Sequence, residues 1–296
     1  MGYFGFINLA ICNHHLVKHF SFEKVYKILF FYYIMKILLG PAGSSGLGNI
    51  DGVKQVENLG LQAMEVEFTY GVNLSNDKAK LVGDLAKKLN INLSIHAPYY
   101  INLNSHEKKK IEDSKRRIMD SAERGHYLGA THIVFHPGFY GKKSPDETFT
   151  IVVEEVKELI KKIKENKWKV KLAPETTGKV NVFGSLDETL GLVKKTKCSF
   201  TIDFAHILAR SKGKIDYDDV FNKLKGHDHL HCHFSGIEWG EKGEKNHKIT
   251  PDKEIKELVS EILKMKKSVT IINESPNPMD DALRTKKEFI KQGYTF

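Results

Sequence analysis

The chain has 296 residues, of which 41% are hydrophobic and 28% are charged; this composition is typical of a soluble globular protein and excludes a chain too poor in apolar residues to form a core. The formal net charge of +9 favours a polyanionic partner such as nucleic acid, although lysine-rich helix faces are also common in heat-adapted proteins. The three cysteines (Cys12, Cys198 and Cys232) have no C-x-x-C spacing, which argues against a disulfide framework or a cysteine zinc site and predicts a reduced, cytoplasmic protein.

Residues 1–34 differ in character from the rest of the chain. The apolar stretch from Phe20 to Leu39 is interrupted by Glu23 and three lysines, so it does not match a membrane span of about 20 apolar residues. It also lacks the uninterrupted apolar centre and small-residue cleavage site of a signal peptide. We interpret residues 1–34 as an N-terminal extension that results from a misassigned start, with Met35 as the true first residue; an interfacial helix is the alternative.

From Met35 onward, strand-like apolar runs alternate eight times with lysine-laced amphipathic segments. The predicted strands begin near Lys36, Ala63, Asn92, His132, Lys169, Phe200, His229 and Ser268. Such alternation is typical of βαβ units and a parallel sheet, and eight units have the size of a closed barrel. Residues 35–296 are therefore predicted to form one α/β domain, a (β/α)8 TIM barrel with its active site at the C-terminal ends of the strands. An open doubly wound sheet is the alternative, but it would place a site at one switch point.

Polar motifs end the third to eighth predicted strands. They read SIHAP, VFHPG, LAPET, TIDFAH, HLHCHFS and INES, and a further motif, EKNH, lies in the long polar loop before the last strand. Because burial of an unpaired polar group costs about 2–7 kcal/mol, their repetition at successive strand ends indicates one shared site. Histidine, aspartate and glutamate without cysteine suit a hydrolytic zinc or manganese centre. The candidate ligands are His96, His136, Glu175, Asp203, His206, His233, His247 and Glu274.

Each motif alone has a plainer explanation. His96 or His136 alone could be packed in a turn, and Glu175 alone could cap the next helix. On the seventh strand, alternation places His231 on the same face as His233; we predict that His233, nearer the carboxyl end, is the ligand and that His231 lies deeper. Solvent exposure is the plain alternative for the loop residue His247, and the neighbouring Cys232 is predicted to pack on the opposite face.

Taken in order, the stretches HAPYYINL, FHPG, APETTG, IDFAH, HCHFSG, NH and NESP resemble the endonuclease IV family of apurinic/apyrimidinic DNA-repair nucleases, within the xylose isomerase-like barrel superfamily. The resemblance extends from Met35 to the C-terminus and implies a cluster of two to three zinc ions, with manganese as a possible substitute. It assigns the first metal to His96, His136 and the bridging Glu175, the second to Glu175, Asp203, His233 and Glu274, and the third to His206 and His247.

The chain departs from the family pattern at two places. The third metal of the family usually has an aspartate two residues before the histidine matched by His247, but this chain has Lys245 there, with Glu244 adjacent. Well-studied bacterial members of the family also use an arginine after the second strand and a tyrosine after the third to probe the DNA minor groove. Tyr99 matches the tyrosine, whereas the second-strand loop has no arginine and offers Tyr70 for stacking instead.

The resemblance implies a metal-dependent phosphodiesterase that hydrolyses double-stranded DNA 5′ to abasic sites and leaves a 3′-hydroxyl and a 5′-deoxyribose phosphate. Glu175 would be the catalytic residue that bridges metals and orients the nucleophile, and Tyr99, Tyr70, Lys142 and Lys143 would contact DNA. We expect a monomer without a membrane partner. A sugar isomerase or epimerase of the same superfamily is the main alternative; a non-catalytic DNA-binding protein, the other alternative, would not need so complete a set of ligands.

Overall fold

The computed structural model describes residues 35–296, so the proposed N-terminal extension lies outside the described part of the chain. The strands, in chain order, are β1 (Ile37–Pro41), β2 (Ala63–Glu67), β3 (Asn92–His96), β4 (His132–Phe135), β5 (Gly138–Phe139), β6 (Lys171–Pro174), β7 (Val182–Phe183), β8 (Ile202–Asp203), β9 (His229–Phe234), β10 (Gly236–Gly240), β11 (Gly243–Lys248) and β12 (Ser268–Asn273). The helices are α1 (Asn49–Asn58), α2 (Asn76–Lys88), α3 (Lys108–Leu128), α4 (Pro145–Glu165), α5 (Leu186–Thr196), α6 (Phe204–Arg210), α7 (Tyr217–Lys223), α8 (Asp252–Met265) and α9 (Pro278–Lys291).

Eight of these strands form a closed parallel barrel. Two four-stranded sheets, β1-β12-β9-β8 and β2-β3-β4-β6, account for all eight. Parallel bridges join the sheets at both seams, from Ala42 to Glu65 and from Glu175 to Thr201. The predicted (β/α)8 barrel is therefore confirmed and the open-sheet alternative is wrong. Six strands begin within one residue of the predicted position, and β6 and β8 begin two residues later than predicted, at Lys171 and Ile202.

Close contact between β1 and β2 requires glycine in the first strand. A Cβ atom on Gly40 would lie 1.6 Å from the carbonyl oxygen of Ala63, a distance that no backbone adjustment of ordinary size would relieve. The barrel is also tied to the C-terminus, because the backbone N–H of Ile37 donates a hydrogen bond to the hydroxyl of Tyr294 over 3.1 Å. Both contacts fix β1 within the barrel wall.

Local sequence signals explain two helices that follow barrel strands. Ser144 and Glu147 form a reciprocal capping box at the start of α4, with Pro145 in the first turn. Ser185 and Glu188 form the same box at the start of α5. In each box, the serine hydroxyl accepts a hydrogen bond from the backbone N–H of the glutamate, and the glutamate carboxylate accepts one from the backbone N–H of the serine. These N–H groups have no partner within the helix itself. The loops after β4 and β6 are thus held at defined helix starts.

The segment predicted as a polar loop around His247 is an antiparallel hairpin, β10–β11. The prediction of a loop was wrong because most of β11 is exposed or half-exposed, so its sequence lacks the apolar alternation that marks a strand in a core. Cys232 of β9 is fully buried, which agrees with its predicted packing role. Within the described ranges, no helix has the length and apolar character needed to cross a membrane.

Candidate metal centre

All eight predicted ligands meet at the C-terminal end of the barrel, and together we call them the strand-end cluster. The cluster contains three groups whose donor atoms lie within 4.8 Å of one another, close enough to hold a metal ion. These groups are His96, His136 and Glu175; Glu175, Asp203, His233 and Glu274; and Asp203, His206 and His247. The groups share Glu175 and Asp203, so the side chains form one continuous site.

Glu175 lies at the centre of the strand-end cluster and is fully buried. Its Oε2 atom is 2.9 Å from Nε2 of His136 and 3.3 Å from Nε2 of His96. Its Oε1 atom is 3.1 Å from Nδ1 of His233. One carboxylate therefore faces two groups through its two different oxygens, which is the geometry of a bridging ligand.

The surrounding histidines control the ionisation of Glu175. Burial alone would raise the pKa of this carboxyl, but the charges of His233 and His136, together with hydrogen bonds from the histidines, hold it well below its usual range. Glu175 is therefore a carboxylate at neutral pH, as a bridging ligand requires.

Backbone carbonyls orient two of the histidines. Nδ1 of His96 lies 2.8 Å from the carbonyl oxygen of Ala97, and Nδ1 of His206 lies 2.9 Å from that of Thr176. Because a carbonyl only accepts, each Nδ1 carries a proton, and Nε2 is the nitrogen of each ring that is left to bind a metal. This is the arrangement that metal-binding histidines generally have.

His233 presents Nδ1 to the cluster, whereas His96 and His206 present Nε2. The carboxylate that orients it, Glu65, was missed by the sequence analysis. Nδ1 of His233 faces Glu175 and Glu274, each at 3.1 Å, while its Nε2 lies 3.0 Å from Oε1 of Glu65. Glu65 is fully buried and comes from the middle of β2. Two glutamates within the run AMEVEF, which otherwise reads as a core strand, were the signal that would have found it.

Glu65 also begins a polar chain in the barrel interior. It accepts a hydrogen bond from Ser94 over 2.6 Å and lies 3.3 Å from Nε2 of His231. The His231 ring stacks on that of His132, with centroids 4.7 Å apart. His231 belongs to none of the three groups of the strand-end cluster, but with Glu65 and His233 it forms a further close group deeper in the barrel.

Glu67, the second missed carboxylate, ends β2 beside the cluster. Its carboxylate forms a further close group with Glu65 and Glu274. Burial raises the pKa of Glu67 to about 8, against a lowering by His96. A carboxyl that is partly protonated near neutral pH is suited to proton transfer.

The residues present fit a divalent cation. In the part of the chain that the structure describes, Oδ2 of Asp203 and Nε2 of His206 are buried without a hydrogen-bond partner. Burial raises the pKa of Asp203 to about 8, against a lowering by His206 and with a further rise from Glu274. Buried polar atoms without a partner and closely spaced carboxylates both destabilise the folded protein. A bound cation would relieve both effects. Imidazole and carboxylate donors suit zinc and manganese.

The four residues predicted to contact DNA differ in exposure and in their contacts. Tyr70 and Tyr99 are exposed, with 79% and 54% of their surface accessible, and the ring of Tyr70 lies 6.5 Å from that of a third exposed tyrosine, Tyr100. Lys142 is exposed, whereas Lys143 donates a hydrogen bond to the carbonyl oxygen of Asn104. The aromatic rings thus form an exposed rim above β2 and β3, and Lys143 helps to hold a loop.

A (β/α)8 barrel with metal-sized groups of histidine and carboxylate at its strand ends has the architecture of a metal-dependent barrel enzyme. The chain belongs to the xylose isomerase-like TIM barrel family, whose profile matches residues 53–293. The superfamily expected from the sequence is therefore confirmed.

Relatives of known sequence include an uncharacterized protein and several endonuclease 4 proteins. The uncharacterized protein, from Methanocaldococcus jannaschii, is 37% identical over 263 residues, which cover 83% of this chain and 94% of that protein. A probable endonuclease 4 of Thermoplasma volcanium is 33% identical over 99 residues, 33% of each protein. An endonuclease 4 homolog of Dictyostelium discoideum is 26% identical over 229 residues, 69% of this chain and 41% of that protein. Both endonuclease relatives are thus matched over less than half of their own length.

Solved structures of several activities share the fold. SacUVDE has a TM-score of 0.70 at 16% identity, covering 88% of this chain and 100% of that chain. Endonuclease IV of Thermus thermophilus has a TM-score of 0.63 at 19% identity, covering 87% and 100%. D-psicose 3-epimerase of Clostridium cellulolyticum has a TM-score of 0.60 at 14% identity, covering 86% and 96%. Identities this low show the common barrel and leave the reaction to be argued from the site.

Proposed function

We propose that this protein is a metal-dependent endonuclease that hydrolyses the phosphodiester 5′ to abasic sites in double-stranded DNA. The observation that carries the proposal is the convergence of three potential metal groups on Glu175 and Asp203. A sugar isomerase or epimerase of this superfamily would need one or two metals, held at fewer strand ends. The endonuclease 4 relatives support the same choice.

Each group of the strand-end cluster would have a defined part in holding two to three zinc ions. His96 and His136 would hold the first ion with Glu175, and Asp203, His233 and Glu274 would hold the second with the same carboxylate. When bound, such ions lower the pKa of water and neutralise charge on the phosphate oxygens. Glu175 is the catalytic residue, because its two oxygens face both groups and would fix the distance between them.

The rim above the cluster would bind the DNA. An abasic sugar lacks a stacked base and is therefore cheap to extrude into a pocket. The Tyr99 ring lies 5.6 Å from that of His96 in the cluster, and Tyr70 is exposed on the loop after β2; exposed aromatic rings can stack on bases. The positive net charge of the chain favours association with the phosphate backbone.

A ketose epimerase is the alternative, and Glu67 is the observation that favours it. Burial raises the pKa of the half-buried Glu67 to about 8, and its carboxyl lies beside Glu274, where it could exchange a proton with a small substrate. The fold shared with D-psicose 3-epimerase is compatible with that reaction.

One set of assays distinguishes the endonuclease from the epimerase. The protein, loaded with zinc, is incubated with a 5′-labelled duplex that carries one tetrahydrofuran abasic analogue, with the same duplex without the lesion, and with D-psicose. We expect one cut 5′ to the analogue, with a 3′-hydroxyl that a polymerase extends, and no cut in the intact duplex. Conversion of D-psicose at C3, with no cleavage in zinc or manganese, would establish the epimerase instead.

A further inference from the structure

The hairpin β10–β11 contains an irregularity beside the third group of the cluster. Along β11, His247 pairs with Ile237 and Asn246 pairs with Glu238, but the next pair joins Glu244 to Trp239. Lys245 is therefore an extra residue without a partner on β10, which defines a β-bulge.

The bulge changes which side chain faces the cluster. In a regular strand, Lys245 would share a face with His247 and Glu244 would point the other way. One extra residue reverses this relation, so that Glu244 points to the His247 side while Lys245 is exposed. The carboxylate of Glu244 accordingly lies with Oε2 3.6 Å from Nε2 of His206.

Gly178, in the loop after β6, leaves room for this carboxylate. A Cβ atom on Gly178 would lie 2.6 Å from Cβ of Glu244, 2.9 Å from its Oε2 and 3.0 Å from the His206 ring. Backbone N–H of Glu244 also donates to the carbonyl oxygen of Gly178 over 3.0 Å. The hairpin is thus docked on the loop with Glu244 at the contact.

The atoms around Glu244 have the properties of metal ligands. Nδ1 of His206 donates to the Thr176 carbonyl, so Nε2, which faces Glu244, is the nitrogen left to bind a metal. Nδ1 of His247 is likewise engaged, 2.6 Å from the hydroxyl of Ser235. Two ligands of one tetrahedral zinc ion lie roughly 3.4 Å apart, given bonds of about 2.1 Å, which is close to the separation seen here.

We propose that Glu244 is a ligand of the third metal and that the bulge at Lys245 supplies it in place of the missing aspartate. With Asp203, His206 and His247, which already form a close group, Glu244 completes four donors, the number that zinc prefers. This inference rests on the proposed multinuclear site, but it concerns metal binding and is measured independently of cleavage.

The test is the zinc content of the full-length protein. Wild type, Glu244→Gln and Glu241→Gln are loaded with zinc, freed of excess metal by gel filtration and analysed by mass spectrometry. Glu241 lies at the tip of the same hairpin, 91% exposed and paired with Lys212, so it controls for charge and for hairpin stability. We expect three zinc ions per chain in wild type and in Glu241→Gln, and two in Glu244→Gln.

Each other result overturns the inference. Equal zinc content in wild type and Glu244→Gln would show that Glu244 is not a ligand, and loss of one ion from both variants would show that only hairpin charge matters. The proposed function has a separate readout, since wild type either cuts abasic DNA or does not. Loss of one ion in Glu244→Gln, in a protein that cuts no DNA, would support the metal site and refute the nuclease.

Discussion

The strand-end cluster has two regions that are built in different ways. The floor, around Glu175 and His233, comes from the ends of barrel strands and is fully buried. The wall, with His247 and Glu244, comes from a hairpin whose side chains are partly exposed. Position in the floor follows from the barrel itself, whereas position in the wall depends on a bulge and on contacts with neighbouring loops. The first two proposed metal positions should therefore be robust, and the third proposed position should depend on hairpin docking.

The largest expected effect is on the floor. Glu175→Gln keeps the size of the side chain but removes the charge that faces two metal groups, so abasic cleavage should fall roughly 10³-fold or more, as for other groups that act as part of a catalytic unit. The control is Glu154→Gln, an exposed residue of α4 paired with Lys157, which should cleave at the wild-type rate. Retention of cleavage by Glu175→Gln within tenfold of wild type would contradict the central role of this carboxylate.

Glu65 tests how far the floor depends on buried partners. Because its carboxylate lies 3.0 Å from Nε2 of His233, Glu65→Gln should leave the metal ligands in place but weaken zinc binding about 10- to 100-fold, the usual cost of losing such a partner. Competition with a chromophoric chelator measures the affinity. An unchanged zinc affinity, compared with wild type and Glu154→Gln, would mean that His233 is held by strand packing alone.

Asp281 tests the docking of the hairpin wall. This buried carboxylate accepts hydrogen bonds from the backbone N–H of Thr250 over 2.7 Å and from its hydroxyl over 2.6 Å, just beyond β11. Burial would raise its pKa, but the bonds from Thr250, Ser275 and Arg284 hold it below the usual 3.8. Asp281→Asn should therefore destabilise the protein at pH 7 by about 1–3 kcal/mol.

The pH dependence of this destabilisation has a definite sign. With a depressed pKa in the folded state, Asp281 contributes its full stabilisation above pH 3.8 and loses it as the pH falls through the lower folded value. Urea unfolding of metal-free protein should show a gap between wild type and Asp281→Asn at pH 7 that shrinks below pH 3.8. The exposed neighbour Asp280 provides the control; a gap of the same size in Asp280→Asn would assign the effect to the charge of the α9 first turn.

The smallest expected effect lies outside both regions, on the aromatic rim. Tyr70→Ala should weaken binding of abasic duplex about fivefold, corresponding to roughly 1 kcal/mol for one lost stacking contact, and should leave zinc content unchanged. Fluorescence anisotropy with a labelled duplex measures the affinity, and Tyr127→Ala, at the end of α3, is the matched control. Equal affinities of the two variants would remove Tyr70 from the DNA interface.

The sequence predicted the floor far better than the wall. Strand-end histidines and carboxylates stand out because apolar runs precede them, so Glu175, Asp203 and His233 were predicted to lie together, and the structure brings them together. His247 was predicted as a ligand, but its hairpin was not, since an exposed polar strand has no apolar alternation. A bulge depends on pairing between strands and leaves no pattern of its own in the sequence. For this reason Glu244 appeared to lie one residue away from the position, occupied by Lys245, at which the family has its aspartate.

The sequence analysis missed the carboxylates of β2 for a different physical reason. Glu65 lies in the middle of a strand, where its contacts with Ser94, His231 and His233 compensate for burial of its charge. Those partners come from other strands, so their proximity follows from barrel closure and cannot be inferred from the β2 sequence.

The expectation of a monomer is not tested by a single chain and stays a prediction.

The most direct test of a multinuclear strand-end centre is the anomalous diffraction of zinc-loaded crystals at the zinc absorption edge. We expect three peaks: one beside His96, His136 and Glu175, one beside Glu175, Asp203, His233 and Glu274, and one among Asp203, His206, Glu244 and His247. A single peak, confined to the group of Glu175, Asp203, His233 and Glu274, would contradict this expectation and would point to a mononuclear enzyme of the epimerase kind.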